Sequence, residues 1–212
     1  MTGDIESLLG LKLKYASKLL SLLFSFLLLM FSACEENYTP KPRGYFRIDL
    51  PAKSYQLFDD AIHYSFEYSV NAQIEKDQSN TAAVDWFTVH YPQLHADLYL
   101  SYKQIDSNLP LFLEDARTMA FKHLPKANSI SDSVFHIAAD VSGLFYFING
   151  KGVASPIQFY VTDSTHNFVR AALYFNFRPN NDSISPVIQH LKADLLHMVE
   201  SFKWKKSTAV KG

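Results

Sequence analysis

Residues 143–177 read GLFYFINGKGVASPIQFYVTDSTHNFVRAALYFNF. Aromatic and β-branched runs at 143–148, 157–162 and 167–177 suit a pleated, half-buried surface. They are separated by Asn149-Gly150-Lys151-Gly152 and Asp163-Ser164-Thr165, residue types that reverse a chain. The first cluster supplies glycines for positive φ. Connections this short join antiparallel neighbours, so the stretch is predicted to be an antiparallel meander.

Working outward, residues 133–137 add a further strand ahead of the meander. Before it, Asn108 followed by Pro110 opens a helix. Leu109, Phe112, Leu113, Ala116, Met119, Ala120 and Leu124 share one stripe of a 3.6-residue wheel, with Glu114, Thr118 and Lys122 facing away. Pro125 ends this helix near Leu124, and His123, inside the stripe, reads as a core residue. On the other side, a polar turn at 180–185 leads to Pro186 and a last helix with Ile184, Val187, Ile188, Leu191, Leu195, Met198 and Phe202 on one face. Lys203, Lys205 and Lys206 then suit the negative end of its dipole.

Towards the N-terminus, Ile62, Tyr64, Phe66 and Tyr68 alternate with His63, Ser65 and Glu67, the period of a half-buried strand. Residues 70–82 are polar and read as a loop. Strands at 86–91 and 95–102 meet at Pro92-Gln93, and a short strand is expected at 45–49. The order β-β-β-β-α-β-β-β-β-α is α+β: a mostly antiparallel sheet with two amphipathic helices packed on it. Its helix–meander–helix half resembles the PsbP-like sandwich.

Leu19 to Cys34, LLSLLFSFLLLMFSAC, contains the only cysteine of the chain. The apolar part is shorter than the roughly 20 residues a membrane-crossing helix needs and fits the core of a signal peptide. Lys12, Lys14 and Lys18 precede it, and Ser32 and Ala33 are small residues before a cleavage point. The segment reads as a lipoprotein signal, residues 1–33, with Cys34 as the lipidated first residue. A buried core helix would not be followed at once by a charged, Pro-rich arm, and an uncleaved anchor would still place the protein in the envelope. The arm, residues 34–44, holds Pro40 and Pro42, which favour extended backbone. A single folded domain at 45–204 and a frayed tail at 205–212 complete the expected organisation.

With 17 Phe, 12 Tyr and only 7 Gly, the chain suits extensive sheet. A formal net charge of −1 gives no electrostatic reason to bind nucleic acid. No P-loop, GxGxxG, GxSxG or HExxH occurs. His190, Asp194 and His197 fall at i, i+4 and i+7, a spacing that could begin a zinc site. Beside an apolar stripe the plainer reading is a solvated flank, so no metal and no cofactor is expected. His90 and His95 bracket a hairpin. Asp163, Ser164 and His166 match a hydrolytic set only in residue type, and no catalytic residue is assigned. Glu114, Asp115 and Arg117 form a charged cluster, a solvated face or a partner contact.

The arm and the strand after it read YTPKPRGYFRIDLP at 38–51. With the cysteine before it, this resembles the GldD family of gliding-motility lipoproteins from Bacteroidetes. The likeness continues through LYLSYK (98–103), EDARTMAFKH (114–123), QFYVTDST (158–165), RAALYFN (170–176) and the terminal Ser201-Phe202-Lys203-Trp204. The resemblance implies an envelope lipoprotein required for gliding and linked to the type IX secretion apparatus. It brings no catalytic residues and carries over Cys34 as the lipid site. Asp132-Ser133-Val134, Asp163-Ser164-Thr165 and Asp182-Ser183-Ile184 also resemble the O-glycosylation signal of Bacteroidetes envelope proteins, although Asp-Ser is equally ordinary turn chemistry.

The expected function is a non-enzymatic accessory or scaffold of the gliding and secretion machinery. The lipid would hold it at the outer membrane, on the periplasmic face, among other envelope proteins. Partner contacts are expected at Lys41, Arg43, Tyr45, Phe46, Arg47 and Asp49 of the arm and at Glu114, Asp115 and Arg117. The alternative is a glycan- or lipid-binding module that stacks its ligand on exposed Tyr and Trp86. A pocket with converging polar groups would favour a ligand.

Overall fold

The structure, a computed structural model, describes residues 15, 17–25, 48–78, 83, 85–178 and 180–205. The chain divides into two units, Met1–Gly44 and Tyr45–Gly212. The described residues of the first are helical, and no described helix is long and apolar enough to cross a membrane. Cys34, Lys41, Arg43, Tyr45, Phe46 and Arg47 lie outside the described residues. So does most of the expected 45–49 strand, whose described residues Ile48 and Asp49 carry no strand.

The second unit runs β1 (Tyr55–Phe58), β2 (Tyr64–Ser69), β3 (Gln73–Lys76), β4 (Phe87–Tyr91), β5 (Ala96–Gln104), α1 (Leu109–Phe121), β6 (Ser129–Ala138), β7 (Val141–Asn149), β8 (Ile157–Thr162), β9 (Asn167–Phe175), α2 (Ser185–Glu200) and β10 (Lys203–Trp204). It is α+β, with two helices on antiparallel sheet, as the alternation and helical stripes predict. Seven strands form one sheet in the order β3-β4-β5-β9-β8-β7-β6, and β1-β2-β10 form a second. β7 to β9 are the predicted meander, and β6, expected at 133–137 ahead of it, joins the same run, each strand paired antiparallel with the next.

Period-two alternation gives the large sheet two faces. Val89, Leu98, Leu100, Phe159, Val169, Ala171 and Leu173 face the main core, shared with Tyr64 and Phe66 of β2 and Leu191, Leu195 and Met198 of α2. Leu98, Leu173, Leu191 and Leu195 are fully buried, each contributing roughly 1.5–3 kcal/mol. On the opposite face, Phe112 and Ala116 of α1 pack on Phe168, and Ala120 packs with Tyr146 and Ile148. α1 therefore covers β9, β8 and β7 and leaves the β4–β5 part of that face open.

Several expectations are corrected. The stretch read as a loop at 70–82 contains β3, whose only half-buried residue is Ile74, so no alternation marked it. β1, four residues of which two are exposed, also gave no signal. α1 ends at Phe121, and Met119 and Leu124 of the expected stripe are exposed. His123 is half-buried; burial first, then Arg170 and Lys126, push its pKa down. Lys203 does not extend the last helix: it pairs with Ser65 in β10. Order continues past residue 204, because Lys205 N donates to His63 O at 2.8 Å and its Nζ reaches Asp59 and Ala61. Among the described residues no glycine has positive φ. Gly150 is required by crowding, since a Cβ there would strike the Lys126 carbonyl, whereas Gly152 has room.

Candidate functional site

The edge of α1 over the open part of the sheet makes a groove of about 290 Å³. β5 and β9 are paired so that Ser101 lies opposite Arg170 and Tyr99 opposite Ala172. Alternation then directs Tyr99, Ser101, Lys103 and Arg170 to the same face. Phe112, Asp115 and Met119 line the groove from α1, Trp86 and Asp77 from the chain beside β3 and β4.

The charges inside are unevenly matched. Lys103 Nζ sits 3.9 Å from Asp115 Oδ2 and 4.7 Å above the Phe112 ring. Arg170 Nη2 donates to Gln158 Oε1 at 2.6 Å, but the buried Arg170 Nε and Gln158 Nε2 have no hydrogen-bond partner among the described residues. Burial pushes the Arg170 pKa down, against the opposing pull of Tyr174 and Asp115. A half-buried guanidinium facing a neutral amide retains donors for an incoming acceptor.

Of the charged trio on α1, only Asp115 lines the groove. Glu114 and Arg117 form an exposed i, i+3 pair at 3.5 Å, and Arg117 lies over Phe121. Trp86 is half-buried, its Nε1 donating to Tyr102 O at 2.9 Å, so it is a groove wall rather than an open stacking platform. Tyr99, 47% exposed and edge-to-face with Tyr174, is the aromatic that does face solvent.

The other candidates do different work. Asp194 is buried, not on a solvated flank: its Oδ1 accepts from Lys53 Nζ at 2.6 Å and from Tyr55 Oη at 3.1 Å. Burial, then the charge and hydrogen bond of Asp194, raise the Tyr55 pKa to about 12. His190 Nε2 is 3.8 Å from Asp194, while His197 turns to Glu67 at 2.7 Å and stacks on Tyr55. Among the described residues no three His, Cys, Asp or Glu gather to hold a metal ion. His90 pairs with Asp97 at 2.8 Å, and His95 is held at φ 48° after a short 3-10 turn.

Asp163, Ser164 and His166 do not make a hydrolytic set. Asp163 Oδ1 accepts from the backbone N–H of Thr165, His166 and Asn167, all within 2.9 Å. Burial works against its charge, but these bonds hold its pKa below the usual carboxylate range. Ser164 takes φ 65° at the turn. Ser133, Ser164 and Ser183 are all exposed, Ser133 in β6 and the other two in turns, where Asn180 Nδ2 donates to Ser183 Oγ. Asp49 is exposed.

Asp85 was not flagged by the sequence. It is buried at φ 60°, and its carboxylate accepts from Ile62 N, His63 N and the His63 ring, joining the approach to β2 with that to β4. Neither motif nor periodicity marks a lone Asp between Val84 and Trp86. Arg170 was visible only as the first residue of RAALYFN (170–176), with nothing to mark its role.

The chain is similar in structure to the solution structure of the cyanobacterial PsbP protein CyanoP from Synechocystis sp. PCC 6803, with 11% identity and a TM-score of 0.44 over 74% of this chain and 95% of that one. A comparison with curated proteins finds no match. The family model described as "Gliding motility lipoprotein GldD" matches residues 35–204, and this chain belongs to that family.

Proposed function

We propose that the protein is a non-enzymatic accessory component of the gliding machinery and of the type IX secretion apparatus, tethered by lipid on Cys34 to the periplasmic face of the outer membrane. Family membership makes it a lipid-anchored cell-envelope protein of gliding motility. The observation that supports the finer reading is the family match starting at residue 35, directly after the sole cysteine. The match thus starts one residue after the proposed lipid site. The arm residues Lys41, Arg43, Tyr45, Phe46, Arg47 and Asp49, with Glu114 and Arg117 on the outer face of α1, are the proposed partner contacts.

The test is fractionation and capture in the native organism. Cys34→Ala should move the protein out of the outer-membrane fraction and stop gliding while its melting temperature stays unchanged. Capture of the wild type from lightly crosslinked envelopes should recover secretion or motility proteins. A Cys34→Ala variant that still fractionates with the membrane and supports gliding would overturn the anchor. Recovery of the protein alone would overturn the scaffold.

The groove favours a second reading, an envelope binding module for a glycan or lipid. Tyr99 and Phe112 supply apolar faces, and Ser101, Lys103, Asp115 and Arg170 supply donors and acceptors. A screen of envelope glycans and lipids for a shift in melting temperature would separate it from the first reading.

A further inference from the structure

The large sheet ends in two unlike edges. β3 is short, four residues, and carries Glu75 and Lys76, which discourage pairing. β6 is ten residues long, has no Pro or Lys, and bears one acidic residue, Asp132. Val134 and Ile137 are 61% and 43% exposed on it. Among the described residues no strand pairs with its outer side.

The backbone of β6 is turned for pairing. Ile148 N donates to Pro156 O at 2.8 Å, so at Ile148 the β7 backbone points to β8. Direction alternates along a strand. At Ile148, Tyr146, Leu144 and Ser142, β7 therefore turns away from β6. The residues opposite them, Ile130, Asp132, Val134 and His136, direct their N–H and C=O groups to the open edge.

We propose that β6 pairs antiparallel with β6 of a second copy of this chain, about a twofold axis through Val134. In that register Val134 faces its own copy and Asp132 faces His136 on both sides of the axis. Ser133 meets Phe135. From Asp132 to His136 outward backbone groups meet outward groups, as a hydrogen-bonded antiparallel ladder requires, and the bulge between His136 and Ala138 ends the ladder there. The neighbouring registers are poorer. An axis at Asp132 opposes two carboxylates, and one at Ser133 sets Asp132 against Val134. An imidazole directly across a ladder can donate to a carboxylate, whereas two carboxylates there are unfavourable, so the one acidic residue of the strand selects the register. The result is a continuous sheet across two lipid-anchored copies, an assembly beyond the accessory role proposed above.

The test is the mass of the full-length lipidated chain in mild detergent, by sedimentation with the detergent contribution subtracted. The wild type should sediment as two copies. Val134→Pro should give one copy without a loss in melting temperature, because the N–H it removes points away from β7. Val134→Lys, which leaves the backbone untouched, should also give one copy, since two ammonium groups then meet at the axis. His136→Asp should give one copy, and Asp132→His with His136→Asp should restore two. A single-copy wild type would overturn the proposal, showing that the edge is covered by this chain's own remaining residues or by another protein. So would a two-copy wild type that survives Val134→Lys and His136→Asp.

Discussion

Lys53 Nζ lies 2.6 Å from Asp194 Oδ1, joining the chain just before β1 to the buried side of α2 across 141 residues. The carboxylate is 2% exposed and the ammonium only partly covered. Removing the partner of a buried charge costs more than the pair itself contributes, because the remaining ion is left without compensation. Lys53→Met should therefore cost about 3 kcal/mol, roughly 6–12 °C in melting temperature for a domain of this size. Asp194→Leu, which removes the buried charge and leaves Lys53 able to reach water, should cost less. Thermal unfolding of the two variants decides it; equal and small losses would show that the Tyr55 hydroxyl suffices for Asp194.

The same cluster sets a pH dependence. Burial first, and then Lys53, lower the His190 pKa below its ordinary 6.5, with Asp194 opposing. The folded state thus binds this proton less readily than the unfolded state, so stability is retained above about pH 6.5 and is lost as pH falls below it. His123 shifts in the same direction for the same leading reason. The urea midpoint should drop between pH 7.5 and 5.5, and His190→Gln should shrink that drop. An unchanged difference in the variant would place the titration elsewhere.

These two residues show what was legible beforehand. The seven buried or half-buried positions that make α2 a helix with one apolar face were readable from spacing alone. Asp194 was readable only as the middle of a His-Asp-His spacing, because a carboxylate next to an apolar stripe normally meets solvent. It is buried here because Lys53, distant in sequence and on no recognisable motif, arrives to neutralise it. The meander was legible for a similar local reason: hairpin turns and alternation need no distant information. β1, β3 and β10 were not, because their residues are largely exposed and are strands only through the partner beside them. The groove escaped notice because it depends on where α1 stops covering the sheet, a relation among β4, β5, β9 and α1.

Gly150 and Gly152 stand two residues apart in one turn and should respond oppositely. A Cβ on Gly150 would collide with the Lys126 carbonyl, a backbone atom that cannot rotate away, whereas one on Gly152 would meet only the flexible Lys126 side chain at 3.9 Å. Gly150→Ala should cost about 1–3 kcal/mol or more through overpacking. Gly152→Ala should be neutral or slightly stabilising, by less than about 1 kcal/mol, since it restricts the unfolded chain at no steric cost. Denaturant unfolding of both variants compares them directly. Equal losses would show that the turn needs glycine for conformation rather than space.

Asp163 holds the β8–β9 turn by accepting three backbone N–H groups and the Asn167 side chain. Asp163→Ala should lose about 2–3 kcal/mol, as expected when charge-assisted bonds to several donors are removed together. Its lowered folded pKa contributes stability that is present above the ordinary 3.8 and is lost as pH falls through the folded value. This window lies well below that of His190, so an acid titration of stability should show two separate declines, and only the lower one should vanish in Asp163→Asn.

Arg170 and Gln158 distinguish structure from function in the groove. Gln158 is 1% exposed, and among the described residues its side chain has only the Arg170 guanidinium as a hydrogen-bond partner. Arg170→Met alone should cost about 1–3 kcal/mol, because it leaves a buried amide with no partner. Adding Gln158→Leu should recover most or all of that loss, since replacing both partners of a buried hydrogen bond by apolar side chains of similar shape is nearly neutral or stabilising. The double variant would then be a stable protein with no cation at the inner wall of the groove. If the groove receives a ligand, this variant should fail to restore gliding to a deletion strain while remaining at wild-type abundance in the envelope. Full restoration would assign Arg170 to packing alone and move attention to the exposed face of α1 and to β6.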